Sequence, residues 1–204
     1  MIAVVNYGMG NIRSVSKALE VVGAEVEVTD NPRAIARAEA IILPGVGAFA
    51  RGMENLHKLN IIPAIYEAVK KEIPILGICL GLQLLFSESE EHGICKGLDL
   101  IKGRVRKLTS GIKIPHMGWN QVEFNLSHCK SGILEGIEDN CYFYFVHSYY
   151  VEPENKELVV GTTRYGKDFV SVMNKDRIWG VQFHPEKSSE SGLKILRNFY
   201  RYAG

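Results

Sequence analysis

The chain has 204 residues, 46% of them hydrophobic and 23% charged, the make-up of one folded domain with a sizeable core. Its 24 Lys and Arg nearly cancel its 23 Asp and Glu, so charge gives no reason to expect nucleic acid or an anionic membrane as partner. No apolar run reaches the length of a membrane span and no secretory pattern is visible, so the expected setting is the reduced cytoplasm.

Ile2–Val5 is a short apolar run that reads as a strand, followed by the loop Asn6-Tyr7-Gly8-Met9-Gly10-Asn11. Residues 12–22 place Ile12, Val15, Leu19 and Val22 at helical spacing, and Gly23 is a natural stop. Gly8-x-Gly10 resembles the start of a dinucleotide fingerprint, but Arg13 stands where the third glycine belongs, so no such cofactor is expected. Residues 25–29 alternate as a strand, Asp30-Asn31-Pro32 opens a short helix, and residues 40–43 form another apolar strand. This alternation predicts an α/β fold around a largely parallel sheet. After it comes Pro44-Gly45-Val46-Gly47, a loop whose exposed N–H groups suit an oxyanion hole, and residues 60–71 predict the next helix.

The most informative stretch is Gly77-Ile78-Cys79-Leu80-Gly81. It follows the apolar run at residues 75–78 and precedes a helix-compatible run reaching Phe86. This is a nucleophile elbow with sulfur in place of oxygen: a strand, a tight turn bearing the nucleophile, then a helix. The other cysteines, Cys95, Cys129 and Cys141, sit at no such turn, and the four show no C-x-x-C spacing for zinc or a redox pair. No metal site is expected.

Beyond Gly97 the pattern changes. Residues 100–108, 112–114, 121–124, 142–150, 158–163, 169–174 and 178–183 read as successive short strands, an antiparallel extension of the sheet, and residues 193–202 as a closing helix. The stretch Gln182-Phe183-His184-Pro185-Glu186 supplies a histidine and a carboxylate two residues apart. If it stays extended, both face one way, and Glu186 can orient His184 as a base for Cys79. The histidines His57, His92, His116, His128 and His147 lack metal-ligand spacing, and His147, at an aromatic strand end, reads as packing.

These motifs carry a resemblance. Pro44-Gly45-Val46-Gly47, the Cys79 elbow continuing to Gln83, and Gly180 through Glu186 resemble the class I, triad-type glutamine amidotransferases. Asn6 through Asn11, Pro115-His116-Met117-Gly118-Trp119-Asn120, Phe145-Val146-His147-Ser148-Tyr149 and Lys187-Ser188 are similar to the family of glutaminase subunits of imidazole glycerol phosphate synthase. The one departure is Asn6, where that family leads one to expect Asp.

The resemblance implies a single domain over residues 1–204, with a flavodoxin-like three-layer α/β fold, a mixed sheet and an antiparallel extension. It implies hydrolysis of glutamine through Cys79, His184 and Glu186 with no cofactor. Ammonia would pass to a (β/α)8-barrel cyclase, in a heterodimer, for histidine biosynthesis. Val46, Gly47 and Leu80 would hold the oxyanion, and Gly45, Gln83, Ser148 and Tyr149 the substrate. Asn11, Met117, Trp119 and Lys187 would face the cyclase, although a tryptophan is usually buried, which would put Trp119 in the core instead. The alternatives are the same glutaminase serving a divergent partner, as in sugar amidation, a cysteine peptidase on the same elbow, and a non-catalytic docking subunit.

Overall fold

The computed structural model describes residues 1–108, 111–125 and 132–204, which leaves His128 and Cys129 outside the described residues. The chain opens on β1 (Ile2–Val5), whose four residues are all buried. This strand pairs in parallel with β2 (Val26–Thr29) on one side and β3 (Ala40–Gly45) on the other. The crossover α1 (Ile12–Val21) buries Val15, Ala18 and Leu19, the i, i+3, i+4 stripe of an amphipathic helix. Asn11 caps it, its side chain accepting from the Ser14 N–H at 3.3 Å. The short α2 (Pro32–Ile35) is capped by Asn31, which accepts from the Arg33 N–H at 2.9 Å.

Two helices then precede the next strand. One is α3 (Phe49–Lys58), for which the sequence reading assigned no element. It buries Phe49, Met53 and Leu56 along one face. The other is α4 (Ile62–Lys70), as expected. The chain enters β4 (Ile75–Cys79), which lies parallel to β3.

Among the described residues the sheet has nine strands, in the order β2-β1-β3-β4 and then β13 (Ile178–Val181), β12 (Lys167–Lys175), β11 (Val159–Tyr165), β8 (His116–Phe124) and β9 (Cys141–His147). Pairing is parallel from β2 to β13 and antiparallel from there to β9. Successive side chains go to opposite faces. Thus Ile2 and Val4 join the layer with Val15, Leu19, Ile195 and Phe199, while Ala3 and Val5 join the layer with Phe49, Leu56 and Ile65.

Three expectations need correction. The helix after Cys79, α5 (Leu80–Leu84), is short, and Phe86 opens a strand, β5 (Phe86–Ser89). A continuous apolar run has no period that separates helix from strand, and what decides is that Phe86 pairs with Ile101 of β7 (Ile101–Lys107). With β6 (Cys95–Lys96) and β10 (Tyr149–Pro153) these make a second sheet, in the order β10-β7-β5-β6. Residues 112–114 form no strand. Lys113 turns its carbonyl to the Tyr165 hydroxyl, 2.9 Å away, instead of to a ladder, and β8 (His116–Phe124) starts only after Pro115.

The single strand expected over 142–150 is two. β9 (Cys141–His147) pairs with β8 in the large sheet, and after Ser148 the chain crosses to β7 in the small one as β10. β11 (Val159–Tyr165), β12 (Lys167–Lys175) and β13 (Ile178–Val181) complete the large sheet. The closing helix α6 (Ser189–Ala203) begins four residues earlier than expected. None of the helices is long and apolar enough to cross a membrane, among the described residues.

Candidate active site

Cys79 ends β4 and caps α5 with φ +53° and ψ −106°, a left-handed conformation that costs strain in any residue with a Cβ. The flanking glycines let the chain hold it. A Cβ on Gly81 would overlap the Leu43 carbonyl oxygen, and one on Gly77 would lie 2.8 Å from the Leu82 nitrogen. The packing of β3 against the elbow therefore fixes the thiol at the carboxyl edge of the sheet. Around it stand the Val146 carbonyl, 3.7 Å from Sγ, and the Gln182 amide nitrogen, 3.6 Å away.

β13 lies beside β4, with Gly180 opposite Gly77 and Val181 opposite Ile78, so the chain leaving β13 arrives next to Cys79. His184 is extended there, but Pro185–Lys187 is a turn of 3-10 helix, not the extended segment expected. The expected pairing forms by another route. The turn brings Glu186 Oε1 to 2.9 Å from His184 Nδ1, with both side chains almost wholly buried. Pro185 presets the first position of the turn, and Ser188 Oγ donates to the His184 carbonyl at 2.6 Å.

Among the described residues, His184 Nε2 has no hydrogen-bond partner. Burial works against a charged imidazole, but interaction with Cys79, and then the hydrogen bond and charge of Glu186, outweigh it and raise the His184 pKa from 6.5 to about 10. Such a ring holds a proton beside the sulfur and can release it to a leaving group.

In front of Cys79 lies a pocket of about 290 Å³. Val46, Gly47 and Leu80 line it, as do Gln83, Ser148 and Tyr149, so six of the seven residues expected around the substrate converge there. Gly45 does not. It is buried beside Cys79 in the β3–β4 register, under Leu80 and against the Tyr7 hydroxyl. Gln83 is held from both sides, donating to the Tyr149 carbonyl at 3.0 Å and to Gln182 Oε1 at 3.2 Å. A larger cavity, about 630 Å³, opens beside Phe124, Tyr150 and Phe169 and includes none of the expected site residues.

Three residues in or behind the pocket wall were not foreseen. Glu91 lines the wall and accepts from the Phe49 N–H at 2.6 Å, capping α3, whose own N-cap, Ala48, has no side-chain acceptor. Nothing in a run of acidic residues marks one of them as that cap. Gln182 sat inside the His184 motif without an assigned role. His147, read as packing, is hydrogen bonded at both ring nitrogens.

Met117 and Trp119 alternate on β8 and are 62% and 51% exposed, so a core position for Trp119 is excluded. The buried tryptophan is Trp179. Trp119 meets Tyr144 edge to face at 6.1 Å between ring centroids, and Lys187 Nζ lies 5.8 Å from the same Tyr144 ring. Asn11 is exposed at the start of α1, which packs against the 185–187 turn. Asn6 uses its Oδ1 to accept from the Gly8 N–H at 3.4 Å, an acceptor role that an aspartate would also fill.

Comparison with known proteins bears on the family and the fold. The chain is 53% identical to the imidazole glycerol phosphate synthase subunit HisH of Moorella thermoacetica, covering 100% of this chain and 97% of that one. It is 52% identical to the subunit of the same name from Aquifex aeolicus, over 98% and 96% of the two chains. Among solved structures, a glutamine amidotransferase crystal structure superposes with a TM-score of 0.78 at 18% identity, over 100% of this chain and 98% of that one. The structure of PurLQS from Thermotoga maritima does so with 0.77 at 21%, over 100% and 98%. These likenesses match the mixed sheet flanked by helices. The model of the glutamine amidotransferase class-I family matches residues 3–203, and the chain belongs to that family.

Proposed function

We propose that the chain is a single-domain glutaminase that hydrolyses glutamine to glutamate and ammonia. It would work in the cytoplasm as the amidotransferase subunit of imidazole glycerol phosphate synthase, the activity in the names of its relatives. Cys79 Sγ attacks the side-chain amide carbon of glutamine to form a thioester. His184 Nε2 gives its proton to the departing ammonia, then takes one from the water that cleaves the thioester. Glu186 holds the imidazole by its Nδ1 proton. N–H groups of Leu80 and of the Val46–Gly47 segment stabilise the oxyanion, and such a donor contributes about 3–4 kcal/mol. Gln83, Ser148 and Tyr149 hold the substrate.

The ammonia passes to a (β/α)8-barrel cyclase bound as a heterodimer, which forms imidazole glycerol phosphate and aminoimidazole carboxamide ribotide in histidine biosynthesis. Trp119 anchors that partner, with Asn11, Met117 and Lys187 around it.

The observation that carries the reading is the buried line from Glu186 through His184 to Cys79, with Nε2 left without a partner next to the sulfur at the pocket floor. The Val46–Gly47 loop supports a role for docking. Gly47 holds φ +103° and Val46 is 41% exposed, so this peptide can reorient when a partner or ligand binds. The test measures ammonia release from glutamine by the chain alone, with the cyclase, and with the cyclase and its nucleotide ligand. Turnover is expected to rise at each step, and equal turnover in all three overturns activation by docking. A glutamine-site affinity label that leaves Cys79 unmodified overturns the glutaminase reading. Trp119→Ala is expected to weaken the complex by about 2 kcal/mol, and an unchanged affinity overturns its assignment as an anchor.

A further inference from the structure

His116 and His147 face each other across β8 and β9, 3% and 5% exposed, with His116 Nδ1 3.0 Å from His147 Nε2. The remaining nitrogens are also engaged. His147 Nδ1 lies 2.8 Å from the Tyr149 carbonyl oxygen, and His116 Nε2 lies 3.2 Å from Asn120 Nδ2. The same Asn120 amide donates to the Arg164 carbonyl at 3.1 Å, while its Oδ1 accepts from the Gln121 N–H at 2.8 Å, so the orientation of that amide is fixed.

One arrangement of protons satisfies every atom. A carbonyl oxygen only accepts, so His147 Nδ1 carries the proton. Burial lowers the His147 pKa to about 3 and that of His116 to about 4, so each ring is neutral and holds one proton. His147 Nε2 is therefore an acceptor, His116 Nδ1 donates to it, and His116 Nε2 accepts from Asn120. Both rings take the Nδ1–H form. His116 is held flat between Phe145 and Tyr165, at 4.9 and 3.9 Å, and His147 packs on Phe169 at 4.9 Å.

The proton of His147 ends on the carbonyl of Tyr149, in the peptide that joins Tyr149 to Tyr150. The Tyr149 carbonyl takes it together with the Gln83 amide, and Gln83 reaches Gln182, which lies against Cys79. Ser148 and Tyr149 are the pocket residues at the place where the chain leaves one sheet for the other. Here β10 pairs on one side only, with β7, and on its other side the Tyr149 carbonyl is held by side chains. We infer that His147, held in one tautomer by His116 and Asn120, is a positioning residue that fixes the Tyr149 carbonyl, and with it Tyr149 at the pocket wall, against the substrate. This rests on the glutaminase reading above.

Two substitutions separate the two ends of the His147 ring. Asparagine places an amide nitrogen near the position of Nδ1 and keeps a donor for Tyr149. Glutamine reaches the position of Nε2 and keeps only the acceptor for His116. Both lose the ring packing on Phe169, and the shorter asparagine loses more, so a purely structural role would not make asparagine the milder change. In complex with the cyclase, His147→Gln is expected to raise the glutamine KM about tenfold and His147→Asn no more than about threefold, with kcat within about threefold in both. Equal KM values in the two variants overturn the proposal. Lack of glutamine turnover by the wild-type complex instead removes the glutaminase reading, and this inference with it. Nitrogen-15 NMR of the wild-type histidines decides independently of whether either variant folds. Neutral Nδ1–H rings at both positions support the proposal, and an Nε2–H ring at His147 overturns it.

Discussion

Cys79 and Ser148 stand on the same pocket, each where a strand ends and the chain changes direction, but the two turns are built differently. At Cys79 the conformation is strained, φ +53°, and the glycines that permit it lie two residues to either side. At Ser148 the holding groups are hydrogen bonds, from Leu108 and Gln83 far along the chain and from the neighbouring His147. The Leu108 N–H donates to the Ser148 carbonyl at 2.9 Å, and His147 and Gln83 converge on Tyr149. The first turn is rigid because any added atom meets backbone. The second is set by a few hydrogen bonds, each of modest net worth. A nucleophile tolerates little displacement, whereas a binding peptide can be adjusted by its neighbours.

The largest test of that contrast is the elbow itself. Cys79→Ala is expected to lower glutamine hydrolysis by about 10⁴-fold or more, measured as ammonia release, while Cys95→Ala and Cys141→Ala keep it. Normal turnover by Cys79→Ala would refute the mechanism. Next comes the base. His184→Ala should lose about 10³-fold in turnover, and Glu186→Gln about 10²-fold, because the base moves protons whereas its neighbour orients it. The reverse order would mean that Glu186 does more than orient.

Gly81→Ala sharpens the comparison from the structural side. The new methyl group must displace the Leu43 carbonyl, so denaturant unfolding should show a loss of about 3 kcal/mol or more. Ser148→Ala, at the other turn, should raise the glutamine KM about fivefold with little change in the unfolding midpoint. If the two variants destabilised the fold equally, the distinction between the turns would fail.

The smallest expected effect is on pH. The His184 pKa is raised from 6.5 to about 10, so between those values the folded state keeps a proton that the unfolded chain has lost. The stabilisation from its charge is complete below pH 6.5 and is lost as pH rises toward 10. The stability difference between wild type and Cys79→Ala, followed by urea unfolding, should therefore shrink over that range. A difference that grows with pH would mean that the proton does not sit between Cys79 and Glu186.

What the residues alone determined is what depends on near neighbours. Ile2–Val5 and the strand before Cys79 are continuous apolar runs bounded by breakers, α1 shows its period and its cap, and the elbow is spelled by two glycines around a cysteine. The His184–Glu186 pair was legible for the same reason, since the two are two positions apart and their pairing forms even though the segment folds as a turn. Only tertiary structure decided which sheet a strand joins. Phe86 left a helix-like run for β7, residues 112–114 formed no ladder, and one aromatic run divided between two sheets at Ser148. Each outcome turns on a partner strand or a carbonyl tens of residues away. The role of His147 was hidden in the same way, because a buried imidazole takes its tautomer from the groups that face it, here His116 on another strand and the carbonyl of Tyr149.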